Sequence, residues 1–166
     1  MIRSAKLGDV DAIVALLRDY AEQGLLLPRS RQSVCEGLLS FVVVEESGQV
    51  VGTAALHILG DDLAEIRSLA VAQNAQGSGY GRMIVATLLD QAQRLEVPKV
   101  LALTYREAFF LRCGFRVVDM RGLQQKIWKD CIHCKKYSAC DEIAMIYETA
   151  CAVAGEQQVA GDLQVG

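Results

Sequence analysis

The sequence has no run of lysine and arginine long enough to lie along a nucleic acid, and its net charge is −3. That balance excludes an electrostatic footprint for DNA or RNA, although a local basic cluster can still hold a small anion. No apolar h-region follows Met1-Ile2-Arg3-Ser4-Ala5-Lys6, so a secretory leader is not expected. No apolar stretch reaches the roughly 20 residues that a bilayer-spanning helix needs. These absences point to a soluble, cytoplasmic protein without a membrane partner. In that compartment the six cysteines are expected to be reduced rather than paired in a disulfide framework. Prolines number only two, Pro28 and Pro98, and both punctuate element boundaries.

What is present is an ordinary globular composition, 52% apolar and 22% charged, so disorder is not the expectation. With 166 residues, one domain can bury roughly two-thirds of the surface its unfolded chain exposes.

Met1 to Ser4 reads as a short strand, and Asp9 as the opening of a helix in which Val10, Ile13, Val14, Leu17 and Ala21 recur at helical spacing until Gly24. Ser30 is placed to cap a second helix running to about Ser40. Phe41–Glu45 and Val50–Leu56 flank Ser47-Gly48 as a hairpin. Leu63–Val71 is a further strand, followed by a helix over about Gly81–Leu95. Then come a strand at Val100–Thr104, a short helix at Ala108–Cys113, and strands at Phe115–Asp119 and Ile143–Tyr147. The order β-α-α-β-β-β-α-β-α-β-β describes a mixed sheet flanked by helices, an α/β (α+β) domain. It is expected over residues 1–148 with a cysteine-bearing insertion at 120–142, followed by a frayed tail at 149–166.

Between the strand ending near Val71 and the helix starting near Gly81 lies Gln76-Gly77-Ser78-Gly79-Tyr80-Gly81. Glycines let successive main-chain N–H groups turn toward one point and leave room for a bulky anion. The positive end of the following helix adds to the attraction. The loop lacks the Lys-Ser/Thr of a P-loop, and its glycines at 77, 79 and 81 do not fit a dinucleotide fingerprint. Two readings stand on spacing alone: a phosphate cradle, or a glycine-rich turn that only joins strand to helix.

Ile66-Arg67-Ser68-Leu69-Ala70-Val71 followed by this loop resembles the Q/R-x-x-G-x-G/A signature of GNAT acetyltransferases. Phe109-Phe110-Leu111-Arg112-Cys113-Gly114-Phe115 resembles that superfamily's later helix-to-strand element ending in Gly-Phe. The resemblance covers about residues 1–148 and implies the GNAT acyl-CoA N-acyltransferase fold. Within the superfamily the chain most resembles the acetyltransferase domain of the N-acetylglutamate synthases, in its short, stand-alone form. Glu22 through Arg31, Ala55-Leu56-His57, Asp62 through Arg67, and Leu103-Thr104-Tyr105-Arg106 carry that likeness. It implies transfer of acetyl from acetyl-CoA to the α-amine of L-glutamate, as in arginine biosynthesis.

The resemblance also implies site residues. Leu69 and Val71, with Ala70 between them, would offer main-chain groups to the pantetheine arm. Gln76, Gly77, Ser78, Gly79, Tyr80, Gly81 and Arg82 would surround the pyrophosphate, and Phe110 would complete the cofactor contacts. Acyl transfer to an amine needs a base, a polarised thioester carbonyl and a proton for the leaving thiolate. Glu65, on the strand before the loop, is the candidate base; the alternative is a solvated glutamate paired with Arg67. In a regular strand Glu65, Arg67, Leu69 and Val71 project from one face. Glutamate brings two carboxylates, for which Arg29, Arg31, Arg67 and Arg106 are the candidate partners. The tyrosine that many GNAT enzymes use as general acid is replaced by Phe110, which leaves Tyr105 or water to protonate the thiolate. His57 is either a pocket residue or a hydrogen-bonded strand histidine.

Cys131, Cys134 and Cys140 form C-x2-C-x5-C. A zinc ion is one reading, but a four-thiolate site normally shows two paired motifs; a reduced thiol cluster without metal is preferred. A homodimer is left open. The rival functions are acetylation of another small amine or a protein amino terminus, and a non-catalytic acyl-CoA-binding module.

Overall fold

The structure, a computed structural model, describes residues 1–122 and 142–151. Its elements are β1 (Ile2–Ser4), α1 (Val10–Glu22), α2 (Arg31–Glu36), β2 (Phe41–Glu46), β3 (Gln49–Ile58), β4 (Leu63–Val71), α3 (Tyr80–Arg94), β5 (Lys99–Thr104), α4 (Glu107–Arg112), β6 (Arg116–Val118) and β7 (Ile143–Glu148). Among the described residues seven strands form one mixed sheet in the order β1-β2-β3-β4-β5-β7-β6. β4 and β5 are parallel, while β1–β2, β2–β3, β5–β7 and β6–β7 are antiparallel. This is the mixed α/β architecture that the element order implies. Among the described residues no helix is long and apolar enough to cross a membrane. The chain divides into two compact units, Met1–His57 with Ile66–Leu88, and Ile58–Glu65 with the chain from Leu89 onward.

In the first unit α1 turns Val10, Ile13, Leu17 and Tyr20 into a core shared with Val34, Phe41, Val43, Ala55 and Ala70. Burial of each large aliphatic side chain contributes ~1.5–3 kcal/mol. This face, not a side-chain cap, holds the helix, because Asp9 at the N-cap makes no capping bond to it. The Asp9 carboxylate instead accepts from the Lys6 amide at 2.7 Å and from the Arg3 guanidinium at 2.8 and 3.0 Å. Arg3 also donates to Glu45 on β2.

The hydrogen bond from Arg3 holds the Asp9 carboxyl below its ordinary range, against the opposing effect of burial. With a depressed folded pKa, the unfolded chain binds more protons as the pH drops below its own value of about 4. The contribution to stability is therefore present above that value and lost as pH falls through the folded pKa. Asp9→Asn is expected to cost about 1–3 kcal/mol at pH 7 and to flatten the acid limb of the stability profile. Urea melts of both proteins at pH 7 and pH 3 measure this.

The Ser30 hydroxyl caps α2 by accepting from the Ser33 amide at 3.0 Å. The helix ends at Glu36, earlier than the spacing predicts, because the chain tightens at Gly37 into a 3-10 turn over Leu38–Ser40. The hairpin forms as read, with Ser47 and Gly48 at φ 51° and 76° in its two-residue turn. Gly52 on β3 is a close-approach glycine: a Cβ there would stand 3.1 Å from Ile84 Cδ1 of α3.

In the second unit β4 pairs with β5 through Leu63↔Lys99, Ala64↔Val100 and Glu65↔Leu101. Leu63, Leu101, Ala144 and Ile146 form its core cluster, with Leu59, Leu103, Val118 and Met120 packed against them. The tail expected to fray from 149 is anchored at its first residue. Thr149 is 1% exposed, and its hydroxyl and amide donate to the carbonyls of Val97 and Pro98 at 2.8 and 2.9 Å. Sequence patterning misses this because one buried hydroxyl has no period.

Candidate functional site

β4 is not the regular strand that period-two reasoning assumes. Ser68 sits at φ 58°, in the left-handed region that disfavours side-chain-bearing residues. Nor does the burial of Leu63–Val71 alternate: four buried residues, three half-buried, two buried. The expectation that Glu65, Arg67, Leu69 and Val71 share one face is corrected, because the pleat is interrupted between Arg67 and Leu69. Ser47 and Glu96 are the other non-glycine residues with positive φ among the described residues, and both lie outside the strands.

After β4 the chain makes a 3-10 turn over Gln73–Ala75 and enters the glycine loop. Gly77 and Gly79 adopt φ 81° and 82° on either side of Ser78. The Met83 amide donates to the Gly79 carbonyl at 3.1 Å, so the amides of Tyr80, Gly81 and Arg82 have no acceptor within α3. Left-handed glycines on either side of Ser78, just before the positive end of fifteen-residue α3, are a main-chain arrangement suited to a phosphate ester. Gln76, Gly77, Ser78, Gly79 and Arg82 are exposed, with Tyr80 and Gly81 half-buried. The Tyr80 hydroxyl donates to Glu46 Oε1 at 2.9 Å, and that bond raises its pKa.

No heavy atom lies within 4 Å of where a Cβ would stand at Gly77 or Gly79. Alanine there meets no neighbour, and its cost is backbone strain of about 1–2 kcal/mol. Gly79→Ala is expected to lower stability by that amount and, if the loop holds the pyrophosphate as the sequence implies, to raise the Michaelis constant for acetyl-CoA about tenfold. Thermal melts and steady-state kinetics check both numbers.

Val71, expected to offer its main chain to a pantetheine arm, already has partners. Its carbonyl accepts from the Tyr20 hydroxyl at 2.9 Å, and its amide donates to the same oxygen at 3.1 Å. Gln76 Nε2 also reaches that hydroxyl, at 3.2 Å. Leu69 is half-buried and Ala70 buried.

Arg29 and Arg67 both belong to the first unit and are half-buried. Arg29 donates to Ser33 Oγ at 3.0 and 3.2 Å, to the Ser33 carbonyl at 3.3 Å, and to Ser68 Oγ at 3.5 Å. Its guanidinium carbon stands 5.2 Å from the centre of the Phe41 ring. Burial, and then the neighbouring charge of Arg67, lower its pKa. Among the described residues no carboxylate bonds to Arg29. It also lines a recess of about 320 Å³ with Val14, Arg18, Ala21, Glu22 and Pro28. Arg31 is placed differently: it is exposed and donates to Asp11 at 2.9 Å, so its position in the first turn of α2 is explained by a surface ion pair.

Glu65, Tyr105, Arg106 and Phe110 lie in the second unit, and His57 in the first. Glu65 is 4% exposed, which removes the alternative of a solvated strand glutamate. Tyr105 is half-buried and Arg106 exposed, at the entrance to α4, where the Arg106 amide donates to Thr104 Oγ1 at 2.8 Å. Phe110 is buried edge-on to Phe109 and Phe115, with ring centres 5.0 and 5.1 Å away. His57, on β3, is half-buried. Cys131, Cys134 and Cys140 lie outside the described residues.

The sequence profile of the acetyltransferase (GNAT) family matches residues 11–115, a span that holds β4, the glycine loop and the Gly114-Phe115 element. The chain belongs to the GNAT acetyltransferase family. It is a GNAT-type N-acetyltransferase with acetyl-CoA as co-substrate. An uncharacterized N-acetyltransferase of Chlorobaculum tepidum is 39% identical over 145 residues, covering 87% of this chain and 94% of its own. An amino-acid acetyltransferase of Mycobacterium tuberculosis is 35% identical over 140 residues, 82% of this chain and 79% of its own. The N-acetylglutamate synthase of Neisseria gonorrhoeae, solved with coenzyme A and N-acetyl-glutamate, superposes with a TM-score of 0.78 at 29% identity. That likeness covers 89% of this GNAT chain and 34% of the synthase.

Sequence reasoning missed Tyr20 and the kink at Ser68. Tyr20 falls on the apolar face of α1, at the spacing of Val10, Ile13 and Leu17, so its hydroxyl is concealed among core positions.

Proposed function

We propose that this enzyme moves acetyl from acetyl-CoA to the α-amine of L-glutamate by direct attack in a ternary complex. The observation that carries the reading is Arg29, a half-buried guanidinium over the Phe41 ring to which no carboxylate bonds among the described residues. Burial, and then the charge of Arg67, act against the charged form of Arg29. A bound carboxylate offsets both effects and accepts from the planar guanidinium, ideally in bidentate fashion. The amino-acid acetyltransferase name of the Mycobacterium relative and the N-acetyl-glutamate in the Neisseria structure support the same acceptor.

The roles follow from the chemistry of the step. The main-chain amides of Gly77, Gly79, Gly81 and Arg82 hold the diphosphate of acetyl-CoA, with Leu69 and Ala70 guiding the pantetheine arm. Glu65 removes a proton from the substrate ammonium, directly or through water, and the freed amine attacks the thioester carbonyl. The carbon–sulfur bond then breaks, and the thiolate takes a proton from Tyr105 or from water. Residues 1–148 constitute the acetyltransferase domain, and the protein works in the cytoplasm.

Thiol release from acetyl-CoA with L-glutamate tests the proposal. Turnover with glutamate at a rate well above other amino acids and peptide amino termini supports it. Turnover confined to other amines replaces the acceptor, and CoA binding without turnover on any amine overturns the catalytic reading.

A further inference from the structure

Tyr20 has no role in the transfer step, yet its hydroxyl meets three groups at the entrance to the glycine loop. It donates to the Val71 carbonyl, and accepts from the Val71 amide and from Gln76 Nε2. One O–H and two lone pairs make this a complete set of partners for a hydroxyl. Gln76 Nε2 also lies 3.4 Å from the Val71 carbonyl. Tyr20 and Val71 are 9% and 8% exposed, so water does not readily substitute for the hydroxyl.

Val71 is the last residue of β4, and Gln76 is the last before Gly77. The 3-10 turn over Gln73–Ala75 lies between them, so Tyr20 ties both ends of one short turn to a single atom on α1. Beyond Gln76 the loop has two left-handed glycines, the residue type with the most main-chain freedom to lose on binding a ligand. Donors held in place before the ligand arrives avoid that cost. We propose that Tyr20 is a positioning residue for the cofactor: by tying Val71 to Gln76 it sets the angle at which the loop amides converge on the diphosphate. The inference rests on the reading of residues 77–82 as the diphosphate cradle.

Tyr20→Phe, Gln76→Met and the double variant are compared with the parent enzyme. Calorimetry measures CoA binding. Steady-state kinetics use acetyl-CoA and S-acetylpantetheine, an acetyl donor without the diphosphate, with the acceptor amine that the parent turns over fastest.

The Kd for CoA is expected to rise about tenfold in Tyr20→Phe and about threefold in Gln76→Met. The double variant should match Tyr20→Phe within about twofold, because the two side chains share one network. In Tyr20→Phe the turnover number at saturating acetyl-CoA should stay within about twofold of the parent, and the Michaelis constant for S-acetylpantetheine should not change. Unchanged CoA binding in Tyr20→Phe overturns the inference. Tighter binding also overturns it, since the hydroxyl would then be a placeholder that the pantetheine displaces. An equal loss with both donors assigns Tyr20 to general support of β4 and overturns it as well. Should Tyr20→Phe fail to fold, Gln76→Met carries the test alone, and an unchanged Kd in that exposed variant is decisive against it. A parent enzyme that binds no CoA refutes the cradle itself, a result distinct from losses confined to the variants.

Discussion

Glu65→Gln is expected to lower the turnover number about 10²- to 10³-fold while leaving the Kd for acetyl-CoA within about twofold of the parent value. The substrate amine carries a proton at neutral pH that must leave before attack, and an amide cannot take it. Glu65 lies on β4, three residues before the Ser68 kink, in the strand that runs into the glycine loop. Glutamine keeps its size and most of its hydrogen-bonding capacity, so the loss should appear in the chemical step and not in binding. Single-turnover rates across pH 6–9 separate this from a packing defect. If they match the parent over that range, Glu65 has no part in proton removal. The expected factor is below that for removing an entire catalytic apparatus, because the fraction of amine already unprotonated rises toward the upper end of the range.

With L-glutamate as the proposed acceptor, Arg29→Ala should raise its Michaelis constant about 30- to 100-fold, what the loss of a charge-assisted pair of hydrogen bonds would cost, with a much smaller change for acetyl-CoA. Removing the side chain also frees Ser33 Oγ and Ser68 Oγ from their donor and uncovers the Phe41 ring. Some loss of thermal stability is therefore expected as well. Arg29→Lys decides between the two causes. Lysine keeps the charge and much of the packing but not the planar fork, so a carboxylate contact predicts an intermediate Michaelis constant with stability near that of the parent. An equal rise in both Michaelis constants would argue that Arg29 serves the fold alone.

The β-branched strands and the amphipathic helices were legible in the sequence because burial imposes a period on them. Leu63–Val71 begins and ends where the apolar pattern does, and the Ser47-Gly48 turn follows from residues that tolerate positive φ. The glycine loop was legible for a related reason, since glycine marks main-chain conformations directly. Arg29 and Arg67 were legible only as charges; that Arg29 packs on Phe41 and reaches Ser68, 12 and 39 positions away from it, is set by the fold. Tyr20 was hidden for the opposite reason. Its ring satisfies the helix period so well that nothing singles out the oxygen, whose partner Val71 lies 51 residues downstream. Asp9 read as a helix cap because aspartate is common there, whereas Arg3 and the Lys6 amide compete for its carboxylate and win.

The left-handed serine in β4 also affects how related chains should be aligned. A ribbon whose pleat is reset at one residue behaves as two short ladders with independent phase. Face positions counted from Leu63 stop at Arg67, and must be counted afresh from Leu69. Profiles that assume one uninterrupted alternation will place the polar residues of one half opposite the apolar residues of the other, and will misjudge which replacements the strand tolerates.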